Sequence, residues 1–295
     1  MSLSTVYDKR RRTRAQLEQL DAQILAALQA DHPQSVRHLF YLMTDPRLPE
    51  PVEKSDRGYR HVQYRVTELR RAGRLDYSWI SDATRRGYFV DTFRNAADFI
   101  RQMASLYRGH LWTDAGVYCE VWCESRSIAS VIQADCEDLA VSLYPAGGFS
   151  SITLIHEAAQ YINQETEGGV PAVIFYIGDL DPAGVLIDRS IEKDLRQHLR
   201  SDVHLEFRRL GITAEQVEQY DLPEKPRKLG DKRALHIKTT VEAEAMPAHI
   251  LRQILRDAVE ALLPPGALDT VRVAEESERQ YLNFIAEQVE MGGEA

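Results

Sequence analysis

Residues 170–184 read V-P-A-V-I-F-Y-I-G-D-L-D-P-A-G. The apolar run predicts a strand buried on both faces, and the glycines and proline at its end predict a turn into a helix. Two aspartates, Asp179 and Asp181, stand one residue apart at that turn. Like charges so close repel, unless a cation or an unusual protonation state relieves them. Pro182 suits a first helical position, so Asp181 taken alone also reads as a helix cap. A cap leaves Asp179 without a role.

Working outward, G-V-Y-C-E-V-W-C-E-S-R-S-I-A-S-V-I at 116–132 reads as a strand ending near Glu124, with a helix opening at Ser125 to Ser127. G-G-F-S-S-I-T-L-I-H-E-A-A-Q-Y-I at 147–162 reads as a second strand–helix unit. The opening stretch with V-L-I-D-R-S-I-E-K-D-L is a third, and V-H-L-E-F-R-R-L-G supplies a fourth strand. Alternation of this kind predicts an α/β domain with a mostly parallel sheet over 113–212. In such sheets ligands lie beyond the carboxyl ends of strands. Glu124, Asp179 and Asp181 would converge there as an all-oxygen donor set, which suits Mg²⁺ or Mn²⁺ and phosphate chemistry.

The first 112 residues read differently. Leu17, Leu20, Ile24 and Leu28 mark an amphipathic helix, Ser35 caps a second over V-R-H-L-F-Y-L-M, and a third runs from about Gly58 to Ala72. Val62, Val66 and Leu69 lie on one face of the third helix, and Arg60, Arg65, Arg70 and Arg71 on the other. Leu75, Tyr77 and Trp79 then alternate with polar residues, D-A-T-R-R-G makes a turn tipped by Arg85 and Arg86, and Y-F-V-D-T-F follows as a second strand. Three helices and a basic hairpin are the order of a winged helix, expected over 1–112. Its third helix and wing would meet double-stranded DNA.

Charge is divided along the chain in the same way. Residues 1–110 carry 19 Lys+Arg against 13 Asp+Glu, whereas the remainder carries 17 against 32. A basic front fits a polyanion and an acidic back fits cation-binding carboxylates. The three cysteines, Cys119, Cys123 and Cys136, lack ligand spacing and read as small buried residues. No signal sequence or membrane span is legible, so the expected location is the cytoplasm, with no membrane partner. Residues 213–295 read as a mostly helical, acidic extension packed on the parallel-sheet domain. The basic loop L-P-E-K-P-R-K-L-G-D-K-R lies near its start.

A strand ending in Glu followed by a strand ending D-x-D resembles the Toprim domain of topoisomerases, bacterial-type primases and several nucleases. The resemblance extends over almost the whole chain. R-H-L-F-Y at 37–41 is similar to the R-x-x-[FY]-Y motif of topoisomerase VI A subunits and the meiotic double-strand-break protein. Y-C-E-V-W-C-E-S, I-G-D-L-D-P-A-G, Y-D-L-P-E-K-P-R-K-L-G-D-K-R and V-E-A-E-A-M-P resemble phage- and mobile-element-associated relatives of that family. The resemblance implies a winged helix followed by a Rossmann-like Toprim domain. It implies that Glu124, Asp179 and Asp181 are metal carboxylates, that Tyr41 is the nucleophile with Arg37 beside it, and that Glu242 and Glu244 are possible additional metal ligands. It further implies a homodimer and a separate ATPase subunit, since this chain has no G-x-x-x-x-G-K-[ST] loop. The family's frequent lysine after the glutamate is Ser125 here, with Arg126 next. The expected activity is Mg²⁺-dependent cleavage of DNA phosphodiesters, through Tyr41 or through activated water. The rival expectation is a non-catalytic DNA-binding or assembly module of a mobile element, with a vestigial metal site.

Overall fold

A computed structural model describes residues 12–81, 90–112, 114–147, 152–226 and 239–292. Three helices open the chain: α1 (Arg14–Ala30), α2 (Val36–Met43) and α3 (Asp56–Arg71). Each begins where an oxygen side chain takes up a free backbone N–H. Thr13 accepts from Gln16 within a capping box, Ser35 from His38 and Ser55 from Gly58. Leu20, Ile24 and Leu28 of α1, Leu39, Phe40 and Met43 of α2, and Val62, Val66 and Leu69 of α3 are all buried.

The first strand of the expected wing takes another form. Tyr77–Trp79 is a 3₁₀ turn, and Ile80 makes a single parallel bridge to Gln34. Asp76 caps this turn through Ser78 N and Ser78 Oγ. The Arg70 guanidinium donates to the carbonyls of Tyr77 (2.6 Å) and Ile80 (2.9 Å). Local side-chain bonds of this kind compete with a strand ladder and here replace it. Residues 90–93 are not in a strand, and the tip with Arg85 and Arg86 lies outside the described residues.

After α4 (Ala96–Leu106) the chain alternates strand and helix: β1 (Tyr118–Cys123), α5 (Arg126–Asp138), β2 (Ser142–Pro145), α6 (Ile152–Glu165), β3 (Ala172–Ile177), α7 (Gly184–His198) and β4 (Leu205–Gly211). The sheet order is β2-β1-β3-β4 and every neighbouring pair is parallel. The fold class is therefore α/β with a parallel sheet. The second strand lies at 142–145, ahead of the expected segment. Residues 152–162 form the helical part of the expected strand–helix unit, with Ile155, Ala158, Ala159 and Ile162 on one buried stripe.

All six residues of β3 are buried, which explains its unbroken apolar run. The sheet separates two cores. Cys119, Val121, Phe175 and Ile177 face α5 and the distal helix α9 (Ala248–Glu260). Trp122, Ile174 and Tyr176 face α6 and α7. The first core runs on without a break into the side chains of α1, α2 and α3. All three cysteines are buried and unpaired. Beyond β4 come α8 (Ala214–Gln219), a two-residue antiparallel pair β5 (Lys225–Pro226) with β6 (Thr239–Thr240), and a 3₁₀ turn Ala243–Ala245 ahead of α9. The last helix, α10 (Ala267–Gly292), packs on α4, so the distal segment also touches an element from the front of the chain. Among the described residues no helix is long and apolar enough to cross a membrane.

Candidate functional site

Strands β1 and β3 are neighbours in register, Cys123 opposite Ile177. The residues just past their carboxyl ends therefore meet. Glu124 N donates to Ile177 O (2.9 Å), and Glu124 Oε2 accepts from Asp179 N (2.9 Å). Asp181 Oδ1 accepts from the backbone N–H groups of Ala183 (2.8 Å) and Gly184 (2.6 Å), so it caps α7 as its position before Pro182 suggests. The turn is tight: a methyl group at Gly184 would collide with the Asp179 carbonyl oxygen.

Between the two aspartates, Leu180 makes an isolated antiparallel bridge to Val241, exchanging both backbone hydrogen bonds at 2.9 Å. That bridge lays V-E-A-E directly against D-L-D. Asp179 Oδ1 then accepts from Ala243 N (2.8 Å). Glu244 is buried and accepts a long hydrogen bond from Ser125 Oγ (3.4 Å). Arg209 of β4 braces the loop from below, donating to the carbonyls of Gly178 (2.9 Å) and Asp179 and to Asp188 (2.6 Å).

The N-terminal helices enter the same site. Helix α2 packs against the Ala243–Ala245 turn. Arg37 Nη1 donates to Glu242 Oε2 (2.7 Å), and Lys225 Nζ to Glu242 Oε1 (2.6 Å). The Tyr41 hydroxyl lies close enough to Glu242 to feel its charge. Lys225 and Lys54 lie 5.5 and 5.8 Å from the Tyr41 ring centroid. Within a single chain, R-H-L-F-Y, E-S, D-L-D and V-E-A-E thus form one cluster.

Its electrostatics divide in two. Burial, then the charges of Glu124 and Glu244, push Asp179 well above the usual carboxylate range. Burial likewise raises Glu124, with Asp181 adding repulsion, and raises Glu244. Glu242 goes the other way: burial opposes its charge, but the Lys225 hydrogen bond and the Arg37 guanidinium outweigh it. Burial and the Glu242 charge together raise the Tyr41 phenol.

No family model, curated protein or solved structure matches this chain.

The donor chemistry of Glu124, Asp179 and Asp181 fits a hard divalent cation, because crowded, half-buried carboxylates lose their mutual repulsion when one binds. As they stand, the three use one oxygen each on backbone N–H groups. Among the described residues no three His, Cys, Asp or Glu side chains are grouped to hold an ion.

Of the arginines expected on a DNA-facing helix, two are engaged inside the protein. Arg65 forms a bidentate pair with the buried Asp21 (2.8 and 2.6 Å), and Arg70 is spent on the carbonyls after α3. Arg60 and Arg71 are exposed, with Arg71 3.4 Å from Glu68. Arg209, Lys54 and the Glu242-bound role of Lys225 were not foreseen. Arg209 stands in F-R-R-L-G as an ordinary strand-end arginine, and no spacing signal links it to a loop 30 residues earlier.

Proposed function

We propose that this chain is a divalent-cation-dependent DNA-cleaving protein of the winged-helix–Toprim, topoisomerase VI A-like type. What carries the reading is the convergence, within one chain, of the Arg37–Tyr41 pair with Glu124, Asp179, Asp181, Glu242 and Glu244. The residues come from four separate segments, and the DNA strand would be the substrate. Mg²⁺ or Mn²⁺ would be held by Glu124, Asp179 and Asp181, and would supply Lewis acidity at a phosphoryl oxygen.

The remaining roles fall to the chain's own groups. Tyr41 Oη is the nucleophile, with the Glu242 carboxylate near it as the group to take its proton. Arg37 and Lys225 hold that carboxylate in place. A raised phenol is a poor nucleophile unless a base or a cation activates it. The route through activated water uses the same carboxylates and does without Tyr41. A homodimer and a separate ATPase subunit belong to the same proposal. Supercoiled plasmid incubated with the protein and Mg²⁺ or Mn²⁺ is expected to be nicked or relaxed, and Asp179→Asn to abolish this. Tyr41→Phe separates the routes, since cleavage retained in that variant rejects the tyrosine. Intact plasmid under all conditions rejects the proposal.

A second reading is favoured by one observation: Glu242 is already neutralised by Arg37 and Lys225, and each aspartate is already satisfied by backbone N–H groups. A DNA-binding or assembly module with a vestigial metal site would look the same. DNA binding that needs no metal and survives Asp179→Ala with Asp181→Ala, without cleavage, favours it.

A further inference from the structure

Arg65 and Arg70 of α3 are engaged inside the protein, but cations gather elsewhere, around the Tyr41 ring. Lys54 comes from the loop ahead of α3 and Lys225 from β5. Their ammonium groups lie 5.8 and 5.5 Å from the centroid of that one ring. Arg37, one helical turn before Tyr41, adds a third positive charge.

Among the described residues a single carboxylate pairs with these three cations. Glu242 takes Arg37 on one oxygen (2.7 Å) and Lys225 on the other (2.6 Å), so both oxygens are committed. Lys54 is left over. Its Nζ donates to the backbone carbonyl of Glu224 (3.0 Å), a neutral acceptor, and among the described residues it forms no ion pair. Glu244, the next acid in V-E-A-E, is buried and bonded to Ser125. An ammonium has three donors, so Lys54 has some to spare.

Partial burial, then the charge of Lys225, hold Lys54 below its ordinary value, as expected of an ammonium short of a counter-charge. The cations remain within reach of a ligand. The side chains of Arg37 and Lys225 are 39% and 38% exposed, and Lys54 is half-buried. One uncompensated positive charge calls for one negative charge with several acceptor oxygens. A phosphodiester has both.

We infer that Lys54, seconded by Lys225, binds a backbone phosphate of the DNA strand beside Tyr41, and that this contact forms without metal. Preferring a phosphodiester over another anion of the same charge rests on the DNA reading above. Contacts of this kind position a strand without reading its sequence.

The test uses the full chain in EDTA, so that cleavage chemistry is silent. Binding of a short fluorescein-labelled duplex is followed by anisotropy over a range of NaCl concentrations. Lys54→Gln is expected to weaken binding severalfold and to lower the slope of log affinity against log salt by about 1, and Lys54→Arg to restore that slope. Lys193→Gln removes the same charge from an exposed position on α7 and is expected to change neither. Wild-type protein supplies a readout that needs no variant: the bound duplex protects Lys54 and Lys225 from acetylation, read by mass spectrometry, and leaves Lys193 reactive. Inorganic phosphate at equal ionic strength tells a strand from a free ion. Protection by phosphate alone, with none by the duplex, means an adventitious ion only and overturns the inference. So does an equal loss of slope in Lys54→Gln and Lys193→Gln, or the absence of duplex binding. Plasmid cleavage with a slope indifferent to Lys54 would sink this inference alone. Lys54-dependent binding without cleavage would sink the cleavage proposal alone.

Discussion

Glu120 is a fully buried carboxylate on the central strand β1. It lies on the sheet face opposite Val121, with Tyr118 Oη and Trp122 Nε1 each donating to it at 2.7 Å. Burial pushes it up to about 7 even against those hydrogen bonds. Between its ordinary value near 4.5 and 7, the folded chain keeps a proton that the unfolded chain has released. Stability from this group therefore falls as pH rises through that window and is constant above it. At 1.36 kcal/mol per unit the loss is about 3 kcal/mol. Glu120→Gln keeps the shape and removes the ionisation. Its urea midpoint is expected to exceed that of the wild type at pH 8, with the difference vanishing near pH 4.5. A difference independent of pH would contradict this account. Glu124 was legible because it ends a strand, and strand ends are where acids serve ligands. Glu120 was not, because Y-C-E-V-W-C hides an acid among residues of the right period and nothing in the pattern distinguishes a buried acid from an exposed one. Asp179 and Asp181 were both legible, as was Asp181 in the role of a cap beside Pro182, but the tie of Asp179 to the distal turn was not.

At the scale of elements, α3 shows how helical spacing can place a residue correctly and misjudge its use. Arg60, Arg65, Arg70 and Arg71 do lie off the apolar stripe. Yet Asp21 on α1 is buried, and it draws Arg65 in as its counter-charge. Arg65→Ala is expected to cost about 3 kcal/mol in chemical denaturation, because it strands a buried carboxylate with only the more distant Arg74 to answer it. Arg60→Ala should leave stability within about 0.5 kcal/mol. If α3 meets DNA, Arg60→Ala should also lower the salt slope of binding by about 1. Equal stability losses in the two variants would refute the distinction. β1, β3 and β4 were readable because each is an apolar or β-rich run of six or seven residues. The four-residue β2 offered too little pattern. The wing's first strand was misread because Leu75, Tyr77 and Trp79 alternate convincingly while Asp76 and Arg70 supply hydrogen bonds that favour a turn.

For the whole molecule, the division into a basic front and an acidic back is a property of the chain rather than of its packing. One core cluster joins α1, α2 and α3 to β1, α5 and α9. Helix α9 is fastened to both sides: Arg252 reaches Asp31 and Pro33 O (3.1 Å), while Arg256 reaches Asp135 (3.0 Å) and Asp138 (2.8 Å). The front helices and the sheet should therefore unfold together. Fluorescence of Trp79, read in a variant lacking the other two tryptophans, and of Trp122, read in the converse variant, is expected to give coincident urea midpoints once corrected for each variant's own stability. Two separated midpoints would mean two independent folding units. Such cross-bracing leaves no trace in local periodicity, since each pair joins residues more than a hundred positions apart.

The single bridge between Leu180 and Val241 also sets an order in time. As the chain is made, D-L-D is synthesised before V-E-A-E, so until then Asp179 has no Ala243 to bond and Arg37 no Glu242. A chain halted short of Val241 carries the sequence of all four parallel strands and still lacks its acidic centre. The centre is thus complete only once the distal segment has been made.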